Sequence, residues 1–174
     1  MVIFVKKQGN TTKRLAFLGV CTSVALVLAW IEVNLPPLFA AFPGIKLGLP
    51  NIIILFVLYR YGVWYAAAVS LVRVVIIGML FGNMQSFLLS LTGAVLSLAG
   101  MALLKRIGLF STVGVSVVGG ILHNMGQVFM AVLILQTSML WYYLIVLLLT
   151  GTVSGVFVGL CGGFAVKRFS KINL

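Results

Sequence analysis

Long apolar runs separated by short basic or polar segments dominate this chain of 174 residues. Five of the runs approach the 20 or so residues that a helix needs to cross roughly 30 Å of hydrocarbon. A sixth, LGLPNIIILFVLY, would extend only about 20 Å as a helix. The pattern predicts an all-α integral membrane protein with a single domain, residues 1–174. The expected spans are 15–32, 47–59, 63–80, 86–104, 112–136 and 140–166.

The basic residues decide whether the short run 47–59 crosses the membrane. If it crosses, ten Lys and Arg residues lie on the side of the N-terminus, Lys46 lies on the other side and Arg73 lies within the membrane. If it does not cross, only four remain on the first side. Because cytoplasmic loops collect Lys and Arg, we expect a six-transmembrane-helix bundle with both termini cytoplasmic. The ten are Lys6, Lys7, Lys13, Arg14, Arg60, Lys105, Arg106, Lys167, Arg168 and Lys171.

Composition supports a membrane protein and limits its chemistry. Hydrophobic residues make up 63% of the chain and charged residues 7%, whereas about a quarter of residues are charged in soluble domains. The net charge of +11 would suggest nucleic acid in a soluble protein, but the predicted topology explains it. We therefore expect membrane lipid around the chain and no nucleic-acid partner.

The scarcity of acids excludes several catalytic mechanisms. Glu32 is the only acid, so no pair of carboxylates is available to bind Mg²⁺, and no lysine-containing phosphate-binding loop for ATP is present. Cys21 and Cys161 lie within apolar runs and show no metal-ligand spacing. We expect no enzyme activity, no cofactor and no metal site, and any active transport would need energy from partner subunits.

Strongly polar residues gather in the outer half of the predicted bundle. At about 1.5 Å per residue, Arg73 lies about 15 Å into the third span and His123 lies at a similar depth in the fifth. This arrangement predicts a pocket that opens to the exterior. The predicted substrate-binding residues are Arg73, His123, Asn124 and Gln127, with Asn51, Asn83 and Gln85 as outer contacts; Glu32, Ser86 and Ser90 belong to the same half.

Two of these predictions leave alternatives open. An arginine near the bilayer centre costs at least about 2.5 kcal/mol, so Arg73 needs a partner, either Glu32 with nearby carbonyl and hydroxyl groups or the head group of a ligand. In the motif HNMGQ, His123 and Gln127 share a helix face and Asn124 lies beside it. These side chains either form hydrogen bonds between helices or bind a ligand. Their depth, similar to that of Arg73, favours binding.

Small residues and one loop indicate further contacts. Gly151, Gly155, Gly159 and Gly163 form successive GxxxG steps, which permit close helix packing within the bundle or docking of another subunit. Gly19 and Ser23 form a shorter step in the first span. The apolar loop EVNLPPLFAAFPGIKLGLP contains several prolines that preclude a continuous helix. It is a candidate lid, or a loop that rests on the membrane or the bundle.

Four segments carry a family resemblance: GIKLGLPNIIIL, SLVRVVIIGMLFGN, SFLLSLTGAVLSLAGM and GVSVVGGILHNMGQ. From about Arg14 to Arg168, the chain resembles the Gx transporter family, also labelled heptaprenyl diphosphate synthase component I. That family is similar to the S components of bacterial energy-coupling factor (ECF) transporters. The resemblance implies an S-component-like fold in the cell membrane, with a pocket that captures a small molecule from outside.

The resemblance also implies partners. S components dock on a transmembrane coupling subunit through a small-xxx-small motif in the first helix, which Gly19 and Ser23 would match here, and two cytoplasmic ATPase subunits supply the energy. The family label suggests an isoprenoid or quinone precursor as the substrate. The alternative is a non-catalytic membrane subunit associated with polyprenyl diphosphate synthesis, since a prenyl synthase needs the carboxylates that this sequence lacks.

Overall fold

A computed structural model describes residues 5–35, 48–137 and 140–169, with the backbone alone for residues 5–10. These residues form six α-helices and contain no strand. The all-helical fold predicted from the apolar runs is therefore confirmed for the described residues. The helices are α1 (Val5–Asn34), α2 (Asn51–Tyr61), α3 (Val63–Phe81), α4 (Met84–Ile107), α5 (Thr112–Leu135) and α6 (Leu140–Phe169).

Five of the described helices are long and apolar enough to cross a membrane, and α2 is the exception. Its 11 residues extend about 16 Å. The side chains of α2 explain how so short a helix is accommodated. Ile54 is 2% exposed, and Leu55, Val57 and Leu58 are fully buried. Because α2 is surrounded by protein, chiefly α1, α3 and α6, its length need not match the thickness of the bilayer.

Side-chain contacts gather the basic residues at one end of the bundle, here called the basic end. The Arg14 guanidinium lies 6.0 Å from the centre of the Tyr65 ring, and Phe169 packs edge-on against Phe56. The Lys105 Nζ donates a hydrogen bond to the Leu58 carbonyl. The side chains of Tyr59 and Thr112 are hydrogen-bonded, which brings the start of α5 to the same end.

These contacts show that the six described helices alternate in direction. The N-terminal parts of α1, α3 and α5 and the C-terminal parts of α2, α4 and α6 lie at the basic end. This end also carries the exposed Arg106, Lys167 and Arg168. The side chains of Lys6, Lys7 and Lys171 lie outside the described residues. That the basic end faces the cytoplasm stays a prediction from the charge distribution.

Glycines let α5 and α6 touch backbone to backbone. A Cβ placed on Gly120 would lie 2.5 Å from the Gly151 carbonyl oxygen, and one on Gly155 would lie 2.6 Å from the Val117 Cα. Gly159 is equally close to Val113, at 2.7 Å. These GxxxG steps of α6 therefore serve packing within the bundle, which was one of the two roles predicted for them.

Candidate substrate-binding cavity

A cavity of about 260 Å³ lies between α1, α3, α4 and α5, toward the end of the bundle opposite the basic end. We call this opposite end the open end. Five polar side chains interrupt an otherwise apolar or glycine lining, as expected of a site that orients a ligand with a few polar contacts. The lining residues are Ala29, Glu32, Val33, Leu35, Arg73, Val74, Ile77, Gly78, Phe81, Gly82, Ser86, Ser90 and His123.

The deep start of α2 leaves room for this cavity. A Cβ on Gly48, just before α2, would touch the Val158 side chain at 4.0 Å. Val158 lies about 27 Å along α6 from Leu140, so α2 begins well below the open end. Among the described helices, the other five continue toward that end while α2 does not. The loop predicted as a candidate lid, residues 32–50, lies largely outside the described residues, including Lys46.

Arg73 and Glu32 place opposite charges in the cavity wall. Arg73 is only 8% exposed, and the charge of Glu32 acts on its guanidinium. The Glu32 carboxylate also accepts a hydrogen bond from the Gly48 backbone N–H. Gly48 has a φ of +70°, which glycine adopts without strain, so the chain can turn into α2 beside the carboxylate. Glu32 was named from the sequence as one of two alternative partners for Arg73, and both side chains line the same cavity.

The pairing does not satisfy all of Arg73. Its buried Nε has no hydrogen-bond partner among the described residues. A guanidinium has five N–H donors and no acceptor, and a buried unsatisfied donor costs about 1–3 kcal/mol. Arg73 also lines the cavity, where a ligand atom can accept a hydrogen bond from the rest of its guanidinium. The two alternatives raised for Arg73, an internal partner and a ligand, are thus compatible in this geometry.

His123 reaches the cavity because α4 and α5 pack very closely beside it. A Cβ on Gly93 would lie 2.9 Å from the His123 carbonyl oxygen and 3.0 Å from its Cε1 atom. Gly126 lies equally close to the Gly93 backbone, and the Thr92 hydroxyl donates a hydrogen bond to the Gly126 carbonyl at 3.2 Å. Any larger residue at these positions would move the helix that carries His123.

Ser86 and Ser90 add two hydroxyl groups to the same wall. They lie four residues apart on α4 and therefore share a helix face. Both serines were expected in the outer half of the membrane, but neither they nor Glu32 were predicted as binding residues. Their spacing on one helix face was the signal that could have identified the serines.

The three polar side chains of the motif HNMGQ lie in three different environments. His123 lines the cavity, whereas Asn124 points to α6 and donates a hydrogen bond to the Leu147 carbonyl at 2.6 Å. The Gln127 Cγ lies 3.1 Å from the position of a Cβ on Gly93, so this side chain packs against α4. Asn124 thus forms the interhelical hydrogen bond that was the alternative to ligand binding, and neither Asn124 nor Gln127 is among the residues that line the cavity.

The three predicted outer contacts also lie apart from the cavity lining. Asn51 lines a separate inner cavity of about 20 Å³ together with Ser97, Ser116 and Ser154. Asn83 caps α4, because its side-chain oxygen accepts a hydrogen bond from the Ser86 N–H at 2.7 Å. Asn83 and Gln85 are both exposed. The structure therefore brings together Arg73 and His123 from the predicted set, and adds Glu32, Ser86 and Ser90.

Gly19 and Ser23, the predicted docking residues, lie on the outer surface of α1. Both are exposed, and a Cβ on Gly19 would have no atom of the described residues within 4 Å. The Ser23 hydroxyl bonds back to the Gly19 carbonyl at 3.0 Å. The position of Gly19 and Ser23 is therefore accessible to another helix.

Together, the apolar helices and the partly polar cavity define a multi-pass helical membrane protein with a candidate small-molecule site. Residues 21–165 match the family model described as heptaprenyl diphosphate synthase component I. The match covers most of the chain, which therefore belongs to this family and confirms the resemblance drawn from the sequence. No curated protein and no solved structure gives a significant match.

Proposed function

We propose that this chain is the substrate-binding membrane subunit, or S component, of an ECF-type transporter and that it captures a small molecule in the open-end cavity. One observation carries the proposal. Arg73 is a buried positive charge whose Nε has no hydrogen-bond partner among the described residues, and its side chain lines a cavity of about 260 Å³. A buried charge within a membrane helix is expensive to maintain and is most often functional.

The cavity chemistry supports binding of a polar group that accepts hydrogen bonds. Arg73 supplies N–H donors and a positive charge, and Glu32 adds a negative charge to the same cavity wall. The hydroxyl groups of Ser86 and Ser90 and the imidazole of His123 can each donate or accept a hydrogen bond. The volume lies slightly below that of drug-sized ligand pockets, which suits a small molecule or one part of a larger one.

The direction of transport follows from the charge distribution. If the basic end faces the cytoplasm, the cavity opens to the outside, as uptake requires. The sequence has no phosphate-binding loop for ATP, so a transmembrane coupling subunit and two cytoplasmic ATPase subunits would supply the energy. The accessible surface around Gly19 and Ser23 is suited to docking the coupling subunit, since small residues allow close helix contact.

The family name favours a second candidate function. A non-catalytic membrane subunit associated with polyprenyl diphosphate synthesis would also bind an isoprenoid precursor, and it would contact a soluble synthase instead of a coupling subunit. We propose that the chain itself is not an enzyme in either case. Co-purification from native membranes, followed by mass spectrometry, separates the two candidates by the partners that are recovered.

Ligand-dependent thermal stabilisation tests the binding role directly. The purified chain in lipid nanodiscs would be heated with isopentenyl diphosphate or 4-hydroxybenzoate, as an isoprenoid and a quinone precursor. We expect one of them to raise the melting temperature of the native chain but not that of Arg73→Ala or His123→Ala. Arg106→Ala, an exposed basic-end residue, is the matched control. Equal stabilisation of all four proteins would remove Arg73 and His123 from the site.

A further inference from the structure

A second, apolar hollow lies on the lipid-facing side of the bundle, between α3 and α4. It has a volume of about 360 Å³, and we call it the α3–α4 groove. Trp64, Leu71 and Val95 on its rim are 86%, 54% and 59% exposed, so the groove opens outward along its length. From Trp64 to Val74 it follows α3 for about 15 Å.

Small side chains create the groove. Where α3 and α4 face each other, the groove is lined by Ala67, Ala68 and Ala94. Toward the open end the two helices come into direct contact, because a Cβ on Gly78 would lie 2.7 Å from the Phe87 ring. The two helices therefore touch at Gly78 and Phe87, and a gap separates them nearer the basic end. A gap lined by these apolar side chains is suited to hydrocarbon.

The groove and the polar cavity meet at Val74. This residue lines both hollows, and the preceding residue is Arg73. The junction lies about 16 Å along α3 from Val63, close to the middle of a membrane about 30 Å thick. A phospholipid keeps its head group at the bilayer surface, so it cannot place that group beside Arg73 while its chain fills the groove.

We infer that the two hollows form one binding site for an amphiphile, whose hydrogen-bond-accepting head binds Arg73 and whose hydrocarbon tail passes Val74 into the α3–α4 groove. This inference rests on the proposed function and names its substrate class. The head is an anionic oxygen group, a phosphate ester or a carboxylate, because Arg73, a charged donor that is only 8% exposed, lines the cavity at the junction. The tail is a hydrocarbon chain, because the groove walls are almost entirely apolar.

Variants that fill the groove without touching the cavity test the inference. Ala68 is exposed and lines the groove, so Ala68→Phe inserts a ring there without disturbing the core. Val95→Phe does the same from α4. Val72→Phe is the matched control, because Val72 is 41% exposed on α3 but does not line the groove. Binding of isopentenyl, geranyl and farnesyl diphosphate is measured for each protein in phosphatidylcholine nanodiscs, with farnesoate as the carboxylate probe.

Probes with longer tails partition more strongly into the nanodisc lipid, but this partitioning is the same for every protein variant. The comparison between variants therefore isolates the groove. We expect both filling variants to weaken farnesyl diphosphate binding about tenfold, equivalent to about 1.4 kcal/mol, while isopentenyl diphosphate binding changes by less than about twofold. Val72→Phe should bind every probe like the native chain. The relative affinities of farnesyl diphosphate and farnesoate then identify which head group Arg73 prefers.

Three outcomes would overturn the inference. If both filling variants keep the native affinity for farnesyl diphosphate, the tail does not lie in the groove. If Arg73→Ala binds farnesyl diphosphate as tightly as the native chain, the groove takes up hydrocarbon independently of the cavity. In both cases, Arg73-dependent binding of isopentenyl diphosphate would leave the proposed function standing. If no probe shows Arg73-dependent binding, the proposed function fails together with the inference.

Discussion

The Nζ of Lys105 on α4 donates a hydrogen bond to the carbonyl oxygen of Leu58, in the last turn of α2, at 2.6 Å. The same ammonium lies 5.2 Å from the centre of the Tyr59 ring. A cation at this position complements the partial negative charge at the C-terminus of a helix. Lys105 thus fixes the end of the shortest helix to one of the long ones, at the level where the basic residues gather.

Lys105→Met should therefore destabilise the bundle. The variant keeps the aliphatic chain but leaves the Leu58 carbonyl without this donor, and we expect the free energy of unfolding to fall by about 1–3 kcal/mol. Thermal unfolding in detergent, followed by circular dichroism, measures the change. Arg106→Met is the matched control, because the neighbouring Arg106 is exposed. Equal effects of the two substitutions would show that the contact with Leu58 contributes nothing specific.

The packing of α5 against α6 yields a second prediction. Gly155→Ala places a methyl group 2.6 Å from the Val117 Cα, where backbone must move, so we expect a loss of about 1–3 kcal/mol in unfolding free energy. Gly163→Ala is the control on the same helix, since its methyl group would lie 3.6 Å from the Thr112 side chain, an ordinary contact. The contact geometry is wrong if the two variants unfold at the same temperature.

The Arg73 and Glu32 side chains should be energetically coupled, and a double-mutant cycle measures the coupling. Glu32→Gln leaves the buried guanidinium without its neutralising neighbour, and Arg73→Gln removes the charge that the carboxylate attracts. We expect the double variant to be more stable than the sum of the single effects predicts, with a coupling of about 0.5–3 kcal/mol. Strict additivity would mean that the two charges do not interact in the folded protein.

Gly93 should affect ligand binding in the cavity, because it allows the close helix packing that positions His123. Gly93→Ala forces apart the backbone of α4 and the His123 carbonyl and ring, so ligand-dependent thermal stabilisation should fall markedly. Gly100→Ala is a control on the same helix, because the methyl group there would meet chiefly the flexible end of the Leu122 side chain. If ligand binding survives in Gly93→Ala and is lost in Gly100→Ala, His123 is not positioned by Gly93.

The outer face of α1 can be tested without disturbing the bundle. Gly19→Leu should leave the melting temperature of the isolated chain nearly unchanged, because nothing in the described structure lies within 4 Å of the added Cβ. It should nevertheless reduce co-purification of the coupling subunit, whose helix can no longer approach α1 closely. Leu103→Ala, at a lipid-exposed position on α4, controls for changes in lipid contact. Full recovery of the partner with Gly19→Leu would place docking elsewhere.

The helices could be predicted from the sequence because bilayer thickness translates directly into the length of apolar runs. The short α2 was harder to predict, since its thirteen-residue run fell below the usual length and the charge count alone indicated that it crosses. The burial of Leu55 and Leu58 supplies the missing physical reason. A helix that is enclosed by protein need not be long enough to cross the hydrocarbon core of the bilayer.

The site was only partly predictable from the sequence. Counting residues along a helix gives the depth of a side chain in the membrane, but it does not give the direction in which that side chain points. Arg73 and His123 were placed at similar depth from helix rise alone, and the cavity brings both together. Asn124 lies next to His123 in sequence, yet it faces α6, because Gly120 and Gly151 bring that helix against this side of α5. Asn51 was assigned to the outer surface, and the deep start of α2 instead places it in an inner cavity.

The brevity of α2 also constrains biogenesis. A segment of 11 helical residues is too short to anchor itself across a bilayer, and its terminal backbone groups would meet hydrocarbon if it inserted alone. Since α6 is one of its principal neighbours and follows it in the chain, α2 can reach its final position only after α6 has been synthesised. A ribosome-bound intermediate that ends before Leu140 should therefore still expose Asn51–Tyr61 to a chaperone or protease.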